Sequence, residues 1–244
     1  MSVMARYLLR VFLWAITLAT SIAPSLAFQE KPAVNAGNPS TIEDFKAGDA
    51  NREPYQRATD LLGVVGVTSG DWVADVGAGS GYYVMRLCEM VGPEGKVFAQ
   101  DISGPSMRWL AARVKAFDLT NVEIVQGDVD DPKLPADKLA AILIVDSYHH
   151  FEQVQPMLDH MLHALKPGGK MVIADYSLHE HRGLQRAEQV KMHEIDPDEV
   201  WVEVERAGFD VVSCERQFVK QVPESKYSRA AAADMWVMVA VRPK

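Results

Sequence analysis

Short apolar runs alternate with longer amphipathic stretches from about residue 70 to the end of the chain. The apolar runs predict seven strands, which cover residues 73–76, 96–102, 122–126, 140–145, 170–175, 211–218 and 235–242. The amphipathic stretches between most of them predict helices. Such alternation is typical of parallel strands with helices on both faces of the sheet. No helical pattern separates the last two strands, so we expect the final strand to be antiparallel.

One polar segment, residues 177–195, interrupts the alternation and is called the lid segment below. It follows the fifth strand, so we expect it to lie above the strand ends, where such sheets bind ligands. A helix is predicted directly after it. Asp196 suits the N-cap, Pro197 suits the first helical position, and Glu199 lies where a capping box places its acid.

The N-terminus has a different pattern. Arg6 and Arg10 precede an uncharged apolar run, residues 11–23, and a small-x-small pattern ends at Ala27. This order predicts a signal peptide, residues 1–27, that is cleaved after Ala27. The mature protein is then expected to be exported, to the periplasm or as a secreted protein.

An uncleaved membrane anchor is the alternative. Pro24 interrupts the segment, and its strongly apolar part is shorter than the roughly 20 residues of a membrane span. Residues 28–53 are polar and rich in turn residues, and we interpret them as a lead-in. Residues 54–244 are then expected to form one domain.

Composition narrows the functional classes. The 244 residues include 48% hydrophobic and 24% charged residues, which is ordinary for a globular domain. The formal net charge of −8 argues against broad binding of nucleic acid or of anionic membranes. The cysteines, Cys88 and Cys214, fall on a predicted helix and a late predicted strand, and we do not expect them to pair.

A glycine loop follows the first predicted strand in the stretch VADVGAGSGYY, residues 73–83. Gly77, Gly79 and Gly81 alternate with small residues, and Asp75 precedes them within the strand. A strand, a glycine loop and a helix in this order are typical of a cofactor site. The spacing G-x-G-x-G lacks the third-glycine register of the dinucleotide fingerprint G-x-G-x-x-G, which disfavours a dehydrogenase.

Two further acids follow the next two strands. Asp101 ends the second strand, where a carboxylate can accept hydrogen bonds from both hydroxyls of a ribose. Asp128 follows the third strand, where a carboxylate can reach an adenine amino group. With the later stretch LKPGGKMVIAD, residues 165–175, these features resemble the class I S-adenosylmethionine-dependent methyltransferases. The small-molecule members called type 11 or ubiquinone-biosynthesis-like are the most similar.

The resemblance implies a Rossmann-like, doubly wound α/β fold whose seven-stranded sheet has its last strand antiparallel. It implies S-adenosyl-L-methionine as cofactor, with the three glycines against its amino-acid end. Asp101 would hold the ribose, and Asp128 with Val129 would frame the adenine. Asp75 would fix the loop and face the ammonium group of the cofactor.

The stretch VDSYHHFEQ follows the fourth strand, where this family contacts the methyl acceptor. Asp146, His149 and His150 are the candidate catalytic residues there, and His150 is preferred to His149. A histidine with a near-neutral pKa suits a general base for an alcohol, phenol or amine. The stretch lacks the two prolines often found in methyltransferases that act on amino groups of nucleic acids and of protein glutamine, which argues against that class.

No metal is expected. In a metal-dependent O-methyltransferase, Asp146 and Asp175 could match two ligands, but Tyr176 replaces the amide of the usual pair. Three more histidines lie in the lid segment, and their spacing is not a compact ligand pattern, which favours solvated side chains. They are His179, His181 and His193.

The sequence thus predicts methyl transfer from S-adenosylmethionine to a small-molecule acceptor by a protein that is exported or tethered to a membrane. Export conflicts with a cofactor that is made in the cytosol. A non-catalytic exported nucleoside-binding protein and a metal-dependent O-methyltransferase therefore stay open as alternatives.

Overall fold

The computed structural model describes residues 41–50, 52–220 and 233–244. The predicted signal peptide and most of the lead-in lie outside these ranges. Within them, none of the helices combines the length and the apolar character that crossing a membrane requires. Cys88 is buried, Cys214 is half-buried, and both are free thiols.

The strands of the described chain form one seven-stranded sheet. They are β1 (Trp72–Val76), β2 (Lys96–Asp101), β3 (Val122–Gln126), β4 (Leu139–Val145), β5 (Leu165–Ser177), β6 (Asp210–Val219) and β7 (Asp234–Val241). Their order across the sheet is β3-β2-β1-β4-β5-β7-β6. Strands β1 to β5 are parallel, and β7 runs antiparallel to both β5 and β6. The predicted fold class is confirmed.

Helices cover both faces of this sheet. They are α1 (Ile42–Ala50), α2 (Glu53–Gln56), α3 (Ala58–Val65), α4 (Tyr82–Val91), α5 (Gly104–Ala116), α6 (Val154–Ala164), α7 (Arg186–Lys191) and α8 (Pro197–Arg206), with 3₁₀ turns at Tyr148–His150 and His179–His181. Successive side chains of a strand point to opposite faces, so Leu143 of β4 joins the apolar cluster under α3, α4 and α5. Its neighbour Ile142 joins the cluster under α6 and α8.

The lead-in contains a helix that its polar composition did not indicate. Phe45 of α1 is buried between the rings of Trp109 and Phe117, at centroid distances of 6.5 and 6.0 Å. Burial of one aromatic ring can stabilise a short helix of low intrinsic propensity. The helical segment that follows is divided into α2 and α3, because Arg57 between them adopts a left-handed backbone conformation with φ 43°.

The helix after the lid segment begins as its capping residues predict. The Asp196 carboxylate accepts a hydrogen bond from the Asp198 amide at 2.9 Å, and Pro197 is the first residue of α8. The capping box is completed differently, because Glu199 accepts hydrogen bonds from Arg186 and Gln189. The cap therefore also anchors α7, and with it the lid segment.

Strand order reverses between β1 and β4, whose neighbours β2 and β5 lie on opposite sides. At such a switch point the connections leave in opposite directions, and a crevice opens beyond the carboxyl ends of the strands. The candidate site of this protein lies there.

Candidate active site

A cavity of about 400 Å³ opens beyond the carboxyl ends of β1, β2 and β4. Seven of the ten residues predicted for the site line it. They are Asp75, Gly77, Gly79, Asp101, Val129, Asp146 and His150. The other three, Gly81, Asp128 and His149, are not among its lining residues.

The three glycines of the loop have positive φ angles of 74°, 55° and 81°, and each has a different surrounding. A Cβ atom at Gly77 would lie 2.3 Å from the Ser147 hydroxyl oxygen, so the loop packs tightly against the end of β4. At Gly79 no described atom lies within 4 Å of that position, which leaves backbone open to the cavity. At Gly81 a Cβ atom would lie 2.8 Å from Leu110 of α5. Gly79 is therefore the glycine that clears space for a ligand, and Gly81 serves packing.

Asp101 braces the glycine loop and lines the cavity. Its two carboxylate oxygens accept hydrogen bonds from the Gly79 amide at 2.9 Å and the Ser103 amide at 2.7 Å. A carboxylate oxygen has more than one lone pair, so the group can still accept hydrogen bonds from ribose hydroxyls. The preceding Gln100 also lines the cavity, and its buried amide nitrogen has no hydrogen-bond partner within the described chain.

Asp75 is the buried acid with a raised pKa on the cofactor side. Its side chain is buried, and one carboxylate oxygen has no hydrogen-bond partner among the residues described. Desolvation raises the pKa of Asp75 to about 7, with Arg52 opposing this shift and Asp101 adding to it. A buried acid that lacks a partner is suited to meet a cationic ligand group.

Val129 lies inside the border of the cavity, and the side chain of its neighbour Asp128 lies outside it. Val129 lines the cavity, whereas the Asp128 carboxylate accepts an ion pair from Lys133 at 2.7 Å on the exposed surface. An exposed pair of this kind contributes little free energy, so it does not hold the side chain firmly. Contact of Asp128 with an adenine stays a prediction.

Asp146 and His150 form the wall of the cavity at the end of β4. Asp146 has a left-handed backbone with φ 53°, which is uncommon outside glycine and costs energy. Burial raises the pKa of Asp146 to about 7, and the Asp175 charge adds to this while His149 opposes it. Burial also lowers the pKa of His150, with help from the neighbouring His149 and His193.

His149 lies behind this wall and is 1% exposed. Its Nδ1 is 3.0 Å from one oxygen of Asp175, and its backbone amide donates to the other at 3.1 Å. Burial lowers the pKa of His149, but the charge and hydrogen bond of Asp175 outweigh it, and the net direction is upward. The Tyr176 amide also donates to Asp175. Asp175 is thus an orienting group for His149.

Arg113 of α5 is a site-supporting residue that the sequence interpretation missed. It is 2% exposed, and its guanidinium donates to both oxygens of Asp49 at 2.8 and 2.9 Å. Its Nε donates to the Ser80 carbonyl of the glycine loop at 2.7 Å. The sequence did indicate that the Arg113 side chain points inward. It lies three residues after Leu110, and residues at this spacing share one face of a helix. The partner Asp49 could not be found, because α1 was not predicted.

Fold and site together define a class. A parallel sheet of this order with an antiparallel β7, a glycine loop after β1 and an acid at the end of β2 form the fold of S-adenosylmethionine-dependent methyltransferases. Comparison with known proteins agrees: residues 73–169 match the family model described as a methyltransferase domain.

Individual relatives and solved structures with similarity to this chain are also methyltransferases. The ubiquinone/menaquinone biosynthesis C-methyltransferase UbiE of Pseudomonas savastanoi is 28% identical over 149 residues, which cover 60% of this chain and 56% of that protein. The match thus spans little more than half the length of this relative. A methyltransferase structure from Aquifex aeolicus covers 82% of this chain and 97% of its own, with 23% identity and a TM-score of 0.65.

A third protein was solved with the cofactor. Phosphoethanolamine N-methyltransferase 2 of Haemonchus contortus, in complex with S-adenosyl-L-methionine, has a TM-score of 0.62 and 18% identity. The match covers 81% of this chain and 57% of that one. These similarities agree with a methyltransferase fold for this chain.

Proposed function

We propose that this protein binds S-adenosylmethionine in the cavity and transfers its methyl group to a small-molecule acceptor. One observation carries the proposal: a single cavity is lined by Gly79 and two acids, Asp75 and Asp101, and also by Asp146 and His150. The first three suit a cationic nucleoside, and the last two can orient or deprotonate an acceptor.

On the cofactor side, the chain's groups would bind and orient. Asp101 would accept hydrogen bonds from the ribose, and Gly79 would allow the ligand to approach the backbone. Asp75 would meet the ammonium group of the cofactor, and its ionised form is favoured when that positive charge arrives. S-adenosylmethionine itself supplies a methyl group on a positively charged sulfur.

On the acceptor side, the reaction needs alignment more than acid–base power. A nucleophile held about 3–3.5 Å from the methyl carbon in a dry site displaces the sulfur in line. A base is required only when the acceptor must lose a proton. His150 lines the cavity and has a lowered pKa, so it is largely neutral at pH 7 and able to accept that proton.

Calorimetry with S-adenosylhomocysteine tests the binding step. The wild type should bind it, and Asp101→Asn should weaken binding about 10- to 100-fold, because a hydrogen bond to a charged group contributes about 1.5–3 kcal/mol. Asn retains an oxygen for only one of the Gly79 and Ser103 amides, so the thermal unfolding of the variant must be compared with that of the wild type. Glu205→Gln removes one negative charge at the exposed end of α8 and should leave the affinity unchanged. No heat and no thermal shift with either form of the cofactor would refute the proposal.

Transfer of a labelled methyl group from S-adenosylmethionine tests the reaction. Hydroquinones belong in the acceptor panel, because relatives of this chain are named ubiquinone/menaquinone biosynthesis C-methyltransferases. His150→Ala should lower turnover more than it lowers cofactor affinity. Cofactor binding without turnover on any acceptor would favour a non-catalytic nucleoside-binding protein.

Export is part of the proposal and rests on the sequence pattern of residues 1–27 alone. Intact mass of the protein recovered from the extracytoplasmic fraction should correspond to a chain that begins at Phe28. A chain that retains Met1 or Ser2 and fractionates with membranes would indicate an anchor instead.

A further inference from the structure

We propose that His149, His150 and His193 form a binding site for a divalent transition metal ion of the Zn²⁺ class at the border of the cavity. The inference does not depend on methyl transfer or on cofactor binding, and His150 would act as a base only in the metal-free protein. It arises because folding brings one histidine of the lid segment against two histidines at the end of β4.

The three rings lie close enough for shared coordination. Ring centroids are 3.9 Å apart for His149 and His150, and 5.5 and 5.4 Å from these two to His193. One nitrogen from each ring lies within 4.8 Å of the others. Tetrahedral Zn²⁺ with bonds of about 2.0–2.1 Å needs nitrogens roughly 3.3 Å apart. Closing a gap of at most about 1.5 Å is within reach of χ rotations, because His150 and His193 are exposed.

His149 is already oriented as a ligand. Asp175 can only accept at Nδ1, which places the proton of a neutral ring on Nδ1 and the lone pair on Nε2. That Nε2 is buried and has no hydrogen-bond partner among the described residues. A buried polar atom without a partner is costly, so it points to a missing ligand. A carboxylate behind a histidine is also the usual support of a metal ligand.

The backbone holds the third histidine in an uncommon conformation. His193 has φ 55°, in the left-handed region that non-glycine residues rarely adopt. It lies between α7 and the capped start of α8, which fix the chain on both sides. Such strain persists where the surroundings impose it, and it is concentrated at functional sites. An ion here would link the lid segment to the end of β4.

The donor set selects the kind of ion. Three imidazoles suit Zn²⁺ and its neighbours Co²⁺, Ni²⁺ and Cu²⁺, whereas Mg²⁺ and Ca²⁺ prefer oxygen ligands. Asp146 and Asp175 lie beside His149 and supply negative charge next to the neutral rings. Three protein ligands leave a position for water or another atom, which is the arrangement of reactive rather than structural zinc sites.

Titration of chelator-treated full-length protein with Zn²⁺ by calorimetry tests the site, with Co²⁺ absorption as a second readout. We expect one ion per chain and the visible bands of low-coordinate Co²⁺. His193→Ala and His150→Ala replace exposed side chains and should each weaken binding at least about 100-fold. His179→Ala removes an exposed histidine of the same lid segment outside the cluster and should bind as the wild type does.

Asp175→Asn tests the orientation of His149. It should weaken Zn²⁺ binding about 10- to 100-fold, the usual effect of losing a supporting carboxylate. Absence of stoichiometric Zn²⁺ binding, or equal affinity in His193→Ala and the wild type, would overturn the inference. If the wild type still binds S-adenosylhomocysteine in that case, the proposed function stands and only the metal site is refuted.

Discussion

The carboxyl group of Asp75 should couple cofactor binding to pH. In the free protein its pKa is about 7 because the group is desolvated. A cationic ligand group beside it would favour the ionised form and lower that pKa. Binding would then release a proton, so affinity should rise with pH until the group is ionised in the free protein.

The magnitude follows from the pKa. With a value near 7, about one tenth of the free protein is ionised at Asp75 at pH 6 and about one hundredth at pH 5. Affinity for S-adenosylhomocysteine, which retains the ammonium group, should therefore fall about 10-fold from pH 8 to pH 6 and about 100-fold to pH 5. Asp75→Asn cannot ionise, so this variant should bind more weakly at pH 8 and lack that dependence.

The free energy of unfolding gives a second, independent test of the Asp75 pKa. The contribution of Asp75 to stability should fall as pH rises, whereas the affinity for the cofactor should rise. The folded pKa of Asp75 lies above its usual 3.8, so its contribution to stability is fully present below pH 4 and is lost as pH rises through 7. The quantity to compare is the free energy of unfolding of the wild type minus that of Asp75→Asn. This difference should be about 2.5 kcal/mol lower at pH 8 than at pH 5. Denaturant unfolding at both pH values measures this difference.

Other charged groups face the same cavity, so the comparison with the variant is essential. Arg52 and Asp101 act on Asp75, and Asp146 and His150 line the same cavity. Their titration is common to both proteins and cancels in the difference. A pH dependence of binding that is equal in the wild type and Asp75→Asn would refute the assigned role of Asp75.

Three further variants test the supports of the site. Gly81→Ala should destabilise the fold by about 1–2 kcal/mol, from the left-handed backbone and contact with Leu110, measured by denaturant unfolding. Gly79→Ala faces open space, so it should lower affinity for S-adenosylhomocysteine in calorimetry by a larger factor than Gly81→Ala does. Arg113→Met should cost about 3 kcal/mol because it leaves the buried Asp49 with the more distant Arg86, at 3.9 Å, and adding Asp49→Leu should recover part of this in unfolding experiments. Equal costs for the single and double variants would contradict the last account.

The sequence was sufficient to predict the sheet and seven of the residues that line the cavity. Runs such as residues 140–145 are apolar throughout, which indicates a strand buried on both faces, and Asp101 lies at a strand end that the pattern locates. These features are local, so one stretch of sequence contains the whole signal. The antiparallel last strand was predictable for the same reason, because no helical pattern precedes it.

Contacts between distant segments were not predictable. The helix α1 depends on Phe45 meeting two rings of α5, and a polar lead-in gives no sign of such a partner. The position of His193 beside His149 depends on how the lid segment folds back, which the spacing of its histidines does not reveal.

A crystal structure of the protein with S-adenosylhomocysteine is the most direct test of the central claim. The nucleoside should occupy the cavity beyond β1, β2 and β4, with its ribose hydroxyls on Asp101 and its ammonium group near Asp75. The sulfur should face the wall formed by Asp146 and His150. A ligand that binds elsewhere, or one in the cavity whose ribose makes no contact with Asp101, would contradict the account.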